Sequence, residues 1–145
     1  MANSKIYLAI LAIFLLLSGY HLGKDIHGWS LASRQPSVTH VVLFQYKKNA
    51  SPEDIAEINS QMLALKEKCI HPVSHRRYIR SVTGGRDNSI EGLQNGATYG
   101  FVVEFRSEED RNFYVKEDEE HQRFKERAGK VLKKAIVVDF ANGVF

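Results

Sequence analysis

The chain has 145 residues, 43% of them hydrophobic and 26% charged, with a net charge of +3 at pH 7. That length allows one domain with a core plus a tail. The positive charge is spread out, with no Lys/Arg run interleaved with aromatics, which argues against a nucleic-acid partner, and the single cysteine, Cys69, excludes an intrachain disulfide and a cysteine-based zinc site.

Residues 6–17 are uncharged and almost wholly apolar, with Lys5 before them. A helix running on to Gly23 would be about 27 Å long, just enough for a bilayer. Two readings stay open for residues 1–24: a single-pass signal anchor, which holds the domain at a membrane in the secretory pathway, or a signal peptide whose removal leaves a secreted domain. Small residues are poorly placed for cleavage. Ser30-Leu31-Ala32 lies too far past the apolar run, and Leu16-Leu17-Ser18 has the wrong upstream residue, so the anchor is favoured. Lys5 on one side and Lys24 with Arg34 on the other leave orientation open. Residues 25–37 read as a polar linker with Pro36 near its end.

The domain proper begins with alternation over residues 38–46. Val38, His40, Val42, Phe44 and Tyr46 share one strand face, and Thr39, Val41, Leu43 and Gln45 the other. Both faces are largely apolar, so the strand is expected to be covered on both sides. Ser51 as cap, Pro52 in the first turn and the acids Glu53 and Asp54 open a helix. Ile55, Ile58, Met62, Leu65 and Cys69 form its apolar stripe. His71 and His75 are four apart, but Pro72 argues against a helical metal site and for a surface connection. A short strand over 78–83 is expected to end at Gly84-Gly85, which sit in no phosphate-loop pattern. A polar loop leads to a third strand over 98–105, with Tyr99, Phe101, Val103 and Phe105 on one face.

Ser107 with Glu108, Glu109 and Asp110 caps a second helix. The acidic run 117–120 breaks or kinks it and reads as a solvated turn before the next helical start. His121 is followed at helical spacing by Phe124, Ala128 and Val131, so its imidazole faces inward, one turn or two from Tyr114. An inward histidine is either a satisfied core residue or a general acid/base in a pocket, since imidazole titrates near neutral pH. The last strand covers 135–140. Asp139 within it is a carboxylate in an apolar strand, which requires a partner or a solvated end. The order strand, helix, strand, strand, helix, strand predicts an α+β, ferredoxin-like βαββαβ domain over 38–145.

Val38-Thr39-His40-Val41-Val42-Leu43-Phe44, Gly85-Arg86-Asp87, Tyr114, His121 and Val137-Val138-Asp139-Phe140, in that order, resemble the stress-responsive dimeric α/β-barrel family, with stretches at Met62 and Gly92 similar to its fungal branch. The resemblance implies a homodimer whose two four-stranded sheets close into a barrel, with a cavity between sheet and helices in each protomer. One family member, the plant olivetolic acid cyclase, performs an aldol cyclisation of a linear polyketide. Its catalytic histidine and tyrosine match His121 and Tyr114, its strand-one histidine matches His40, and the aspartate that orients its catalytic histidine matches Asp139. The cavity-wall positions match Val42, Phe44, Phe101 and Val103. The chain departs from the family in having Glu119 where a proline is common.

Carried over, these roles imply a cofactor-free cyclase or lyase that binds a hydrophobic small molecule. Asp139 would orient His121, His121 would take an acidic proton between two carbonyls, and Tyr114 would donate to the developing oxyanion. His40 would orient the substrate. A non-catalytic, small-ligand-binding or stress-responsive dimer built on the same cavity is the alternative. No metal or organic cofactor is expected.

Overall fold

The computed structural model describes residues 36–145. The anchor or signal peptide expected over 1–24, and all but the last two residues of the expected linker, lie outside them. The described chain runs β1 (Val38–Tyr46), α1 (Pro52–Lys68), β2 (Ile79–Arg86), β3 (Tyr99–Phe105), α2 (Glu108–Lys116), α3 (Glu119–Val131) and β4 (Leu132–Ala141). The four strands form one antiparallel sheet in the order β2-β3-β1-β4. This is the ferredoxin-like α+β fold, with its second helix divided in two.

Local chemistry sets the helix boundaries. Ser51 Oγ accepts from the backbone N–H of Asp54 at 3.0 Å and Ser107 Oγ from that of Asp110 at 3.2 Å, so each satisfies a donor that the first turn leaves unpaired. The apolar stripe of α1 packs Ile58, Met62 and Leu65 onto the sheet, while Ile55 is only partly buried. The inner sheet face supplies Val38, Val42 and Phe44 from β1 and Phe101, Val103 and Phe105 from β3. Tyr114, Phe124 and Ala128 close the core from α2 and α3. A wholly buried ring such as Phe105 contributes about 2–3 kcal/mol of transfer free energy, which is what holds short helices onto the sheet.

Several expectations are corrected. β2 does not end at Gly84-Gly85 but runs through them to Arg86. A Cβ at Gly84 would lie 2.2 Å from Phe101 Cδ1, so that glycine makes room for a core ring on its partner strand rather than for a turn. β4 begins at Leu132, directly after α3, and not at Ala135; Lys133 and Lys134 are polar and carry no alternating pattern from which that start could be read. Among the described residues the sheet is covered on one side only. On the outer face Val41 and Leu43 are half-buried, while Val138 and Phe140 are about half exposed, at 55% and 47%.

The acidic run is not simply a solvated turn. Glu117 closes α2 and Asp118, only 4% exposed, opens α3. Its carboxylate accepts from Tyr78 Oη at 2.7 Å, Cys69 Sγ at 3.3 Å and the His121 backbone N–H at 2.9 Å. A buried carboxylate holding a phenol, a thiol and a helix start keeps the α2–α3 joint at one angle. Burial and Asp118 together push the Cys69 thiol and the Tyr78 phenol above their ordinary pKa values, so both remain protonated donors.

Candidate active site

The α2–α3 joint positions the two residues on which the acid–base expectation rests. The last carbonyls of α2 have no partner within the helix and are taken up by α3. His121 Nδ1–H donates to the Tyr114 carbonyl at 2.8 Å, while Gln122 Nε2 and Lys125 Nζ donate to the Val115 carbonyl at 3.1 and 3.2 Å. His121 thereby lies flat on the Tyr114 ring, with centroids 3.7 Å apart and planes 17° from parallel. Burial pushes the His121 pKa down to about 4, opposed by the Tyr114 carbonyl and reinforced by Lys125 and His40. Its imidazole is therefore neutral at pH 7.

His40 is fixed from the sheet side of the site, by the neighbouring strand. It pairs with Asp139 across β1 and β4, and its Nδ1–H donates to Asp139 Oδ1 at 2.5 Å. The second carboxylate oxygen, Asp139 Oδ2, accepts from an Arg111 Nη1–H at 2.5 Å. The expected hydrogen bond between Asp139 and His121 is not formed. Strand register puts Asp139 opposite His40, and His121 Nδ1–H is committed to the α2 carbonyl. His40 is 5% exposed and its ring meets the Tyr114 ring edge-on at 5.8 Å.

These groups converge on one cavity of about 500 Å³ between β1, β4, α2 and α3, lined by His40, Val42, Phe44, Tyr114, His121 and Asp139 among others. Tyr114 lines that cavity, and its hydroxyl is buried with no hydrogen-bond partner among the described residues. A buried hydroxyl without an acceptor costs free energy, so an acceptor is the group its position favours. Burial holds its pKa well above the ordinary phenol value, which makes it a donor rather than a base.

Six of the eight expected site residues thus meet in one place. Phe101 and Val103 do not line the cavity. They are buried on the same sheet face but further along it, over β3, beneath the hydrophobic core. Sequence reasoning missed Arg111 and Asp118. Arg111 lies three residues before Tyr114, so helical spacing puts a cation on the face that carries the phenol, a readable signal for the partner of Asp139. Nothing local distinguishes Asp118 from the acids around it. Among the described residues no group of side chains could hold a metal ion. His71 instead accepts at Nδ1 from the N–H groups of Val73 and Ser74 in the surface turn.

Among curated proteins, none matches the chain. Solved structures do match. The protein At3g17210 of Arabidopsis thaliana is 30% identical, with a TM-score of 0.64 over 74% of this chain and 97% of that one. A hydroxynitrile lyase from Passiflora edulis is 19% identical, with a TM-score of 0.65 over 76% of this chain and 97% of that one. A dimeric, ferredoxin-like protein of unknown function from Bacteroides fragilis is 20% identical, with a TM-score of 0.53 over 74% and 97%. The stress responsive A/B barrel domain matches residues 38–142, from the first residue of β1 past the last of β4. With its fold and its cavity inside that span, the chain belongs to the stress responsive A/B barrel domain family, Dabb.

Proposed function

We propose that this chain is a cofactor-free lyase or cyclase that acts by acid–base chemistry on a hydrophobic, polyketide-like carbonyl compound in the cavity. The observation that carries this reading is the buried Tyr114 hydroxyl, without a partner among the described residues, on a residue that lines the same cavity as the Asp139-bound His40. With Nδ1–H committed to Asp139, His40 has its Nε2 lone pair left as the base. It takes the proton from a carbon between two carbonyls, and the C–H electrons become the enolate. The enolate carbon attacks a second carbonyl of the same chain, Tyr114 donates a hydrogen bond to the oxygen that gains charge, and the proton taken up by His40 returns to that oxygen to leave a hydroxyl. His121, neutral and stacked on Tyr114, keeps the phenol in place. A base works best with a pKa near the operating pH, so a histidine at about 4 is a weak candidate for that role. That a hydroxynitrile lyase shares this fold is compatible with lyase chemistry here.

The reading includes a homodimer closed by the outer sheet face, where Val138 and Phe140 are exposed beside half-buried Val41 and Leu43. It also includes attachment to a membrane through residues 1–24, with secretion after cleavage as the alternative. Light scattering giving a one-protomer mass would remove the dimer. Release of the full chain from membranes by alkaline carbonate would remove the anchor.

The decisive experiment incubates the full chain with linear poly-β-keto thioesters. Cyclised products that disappear in His40→Ala support the reading; identical products at identical rates with and without His40 overturn it. The non-catalytic reading, a small-ligand-binding dimer, is favoured by one observation. The His121 Nδ1–H bond to the α2 carbonyl is a structural task that a binding protein would also need.

A further inference from the structure

Helix α2 carries the Tyr114 phenol and, three residues earlier, the Arg111 guanidinium. Helical spacing sets both on one face, about 4.5 Å apart along the axis. Tyr114 goes to the cavity wall and Arg111 to β4, where its Nη1–H donates to Asp139 Oδ2 at 2.5 Å. Among the described residues this is the only side-chain hydrogen bond from α2 to a strand. The others that α2 makes stay local or join α3.

Asp139 has a use for that bond. Its side chain is 27% exposed, against 6% for the imidazole it faces, so water competes for the carboxylate but hardly for the ring. A carboxylate with one partner is free to rotate about its short side chain, and turning to solvent would leave His40 Nδ1–H without an acceptor. The second bond closes that route, because His40 takes one oxygen and Arg111 the other. Arg111 is steadied in turn by its Nε–H, which donates to Asn112 Oδ1 at 3.0 Å. A half-open ion pair of this kind adds little to folding stability, so its consequence lies in what Asp139 does to the ring.

Resting on the reading above that His40 is the base, we propose that Arg111 is a positioning residue for it, which pins Asp139 so that the His40 proton stays on Nδ1 and the Nε2 lone pair stays free. Arg111 acts only through Asp139 and takes no part in proton transfer. Because Arg111 and Tyr114 share one helical turn, the same bond holds the oxyanion donor in place relative to the base.

Heteronuclear NMR of the full chain, labelled at histidine nitrogen, tests this without substrate. With the imidazole neutral, wild-type His40 should show a protonated Nδ1 and an unprotonated Nε2, and in Arg111→Met the proton should redistribute towards Nε2. Arg111→Lys should keep the wild-type pattern, since the contact with Asp139 uses a single N–H. His121, whose Nδ1–H goes to the Tyr114 carbonyl, is the internal control and should not change. With poly-β-keto thioesters, kcat should fall about tenfold in Arg111→Met at unchanged KM, and Arg111→Met/Asp139→Asn should be no slower than Asp139→Asn alone. The proposal is overturned if His40 keeps Nδ1 protonated in Arg111→Met, or if the two substitutions multiply in rate. It is overturned as well if the His121 signal changes together with that of His40, which would make Arg111 a residue of the fold. If the wild type turns nothing over while the NMR pattern is as expected, the catalytic reading falls and the positioning of His40 by Arg111 stands.

Discussion

Nδ1–H of His40 donates to Oδ1 of Asp139 at 2.5 Å, and the two residues face each other directly across β1 and β4. Because the contact is written into strand register, it does not depend on a loop or on the joint between helices. The same carboxylate is held on its other oxygen by Arg111, so the imidazole faces a carboxylate that cannot turn away. Asp139→Asn keeps the shape but removes the charge that selects the imidazole tautomer. We expect turnover of poly-β-keto thioesters to fall by about 10–100-fold in Asp139→Asn and by about 100-fold or more in His40→Ala. Turnover unchanged in both variants would exclude this dyad from catalysis.

Tyr114→Phe separates function from stability. The phenol oxygen has no partner among the described residues, so its removal should leave the folded domain as stable as before or raise its stability by about 1 kcal/mol. Turnover should fall by about a hundredfold, the loss of one oxyanion donor. Urea denaturation and steady-state rates read the two effects. A variant destabilised without loss of rate would show that the hydroxyl serves the fold.

His121 should make stability depend on pH. In the unfolded chain it takes up a proton near its ordinary pKa, and in the folded domain burial holds that pKa down to about 4. The unfolded state therefore binds more protons between those values. Its contribution is fully present above about pH 6.5 and is lost as pH falls towards about 4, a change of about 3 kcal/mol. Denaturant titrations across that window should give a steeper loss for the wild type than for His121→Asn. Parallel curves would show that His121 titrates normally in the folded protein.

Two adjacent glycines should respond differently to alanine. A Cβ on Gly84 meets Phe101 Cδ1 at 2.2 Å and the Gly100 carbonyl at 2.8 Å, whereas a Cβ on Gly85 meets nothing within 4 Å. Gly84→Ala should cost about 1–3 kcal/mol through displacement of a core ring. Gly85→Ala should be neutral or slightly stabilising because it restricts the unfolded chain. Thermal unfolding of the pair is sufficient, and equal melting temperatures would refute the packing account.

Much of this could be read locally. The alternation of β1, the Ser51 and Ser107 caps, the stripe of α1 and the inward direction of His121 all arise from interactions within a few residues along the chain. Strand and helix periods report which way a side chain points, so β1 and the starts of α1 and α2 emerged with their boundaries. The amino terminus was legible only as an apolar run of membrane-spanning length.

Partnership was not legible, because it is set by register and by helix angle. Asp139 stands out in its strand, but only the β1–β4 pairing gives it to His40 instead of His121. Asp118 looks like one acid among four until the fold brings Tyr78, from 40 positions away, and Cys69, from 49, onto its oxygens. Gly84 resembles a strand end until Phe101 is seen to occupy the space above it. Sequence by itself determined the family, the order of elements and the inward residues, since those follow from short-range chemistry. Tertiary structure alone decided which inward groups touch, because contacts between distant strands and helices depend on packing geometry that no local pattern encodes.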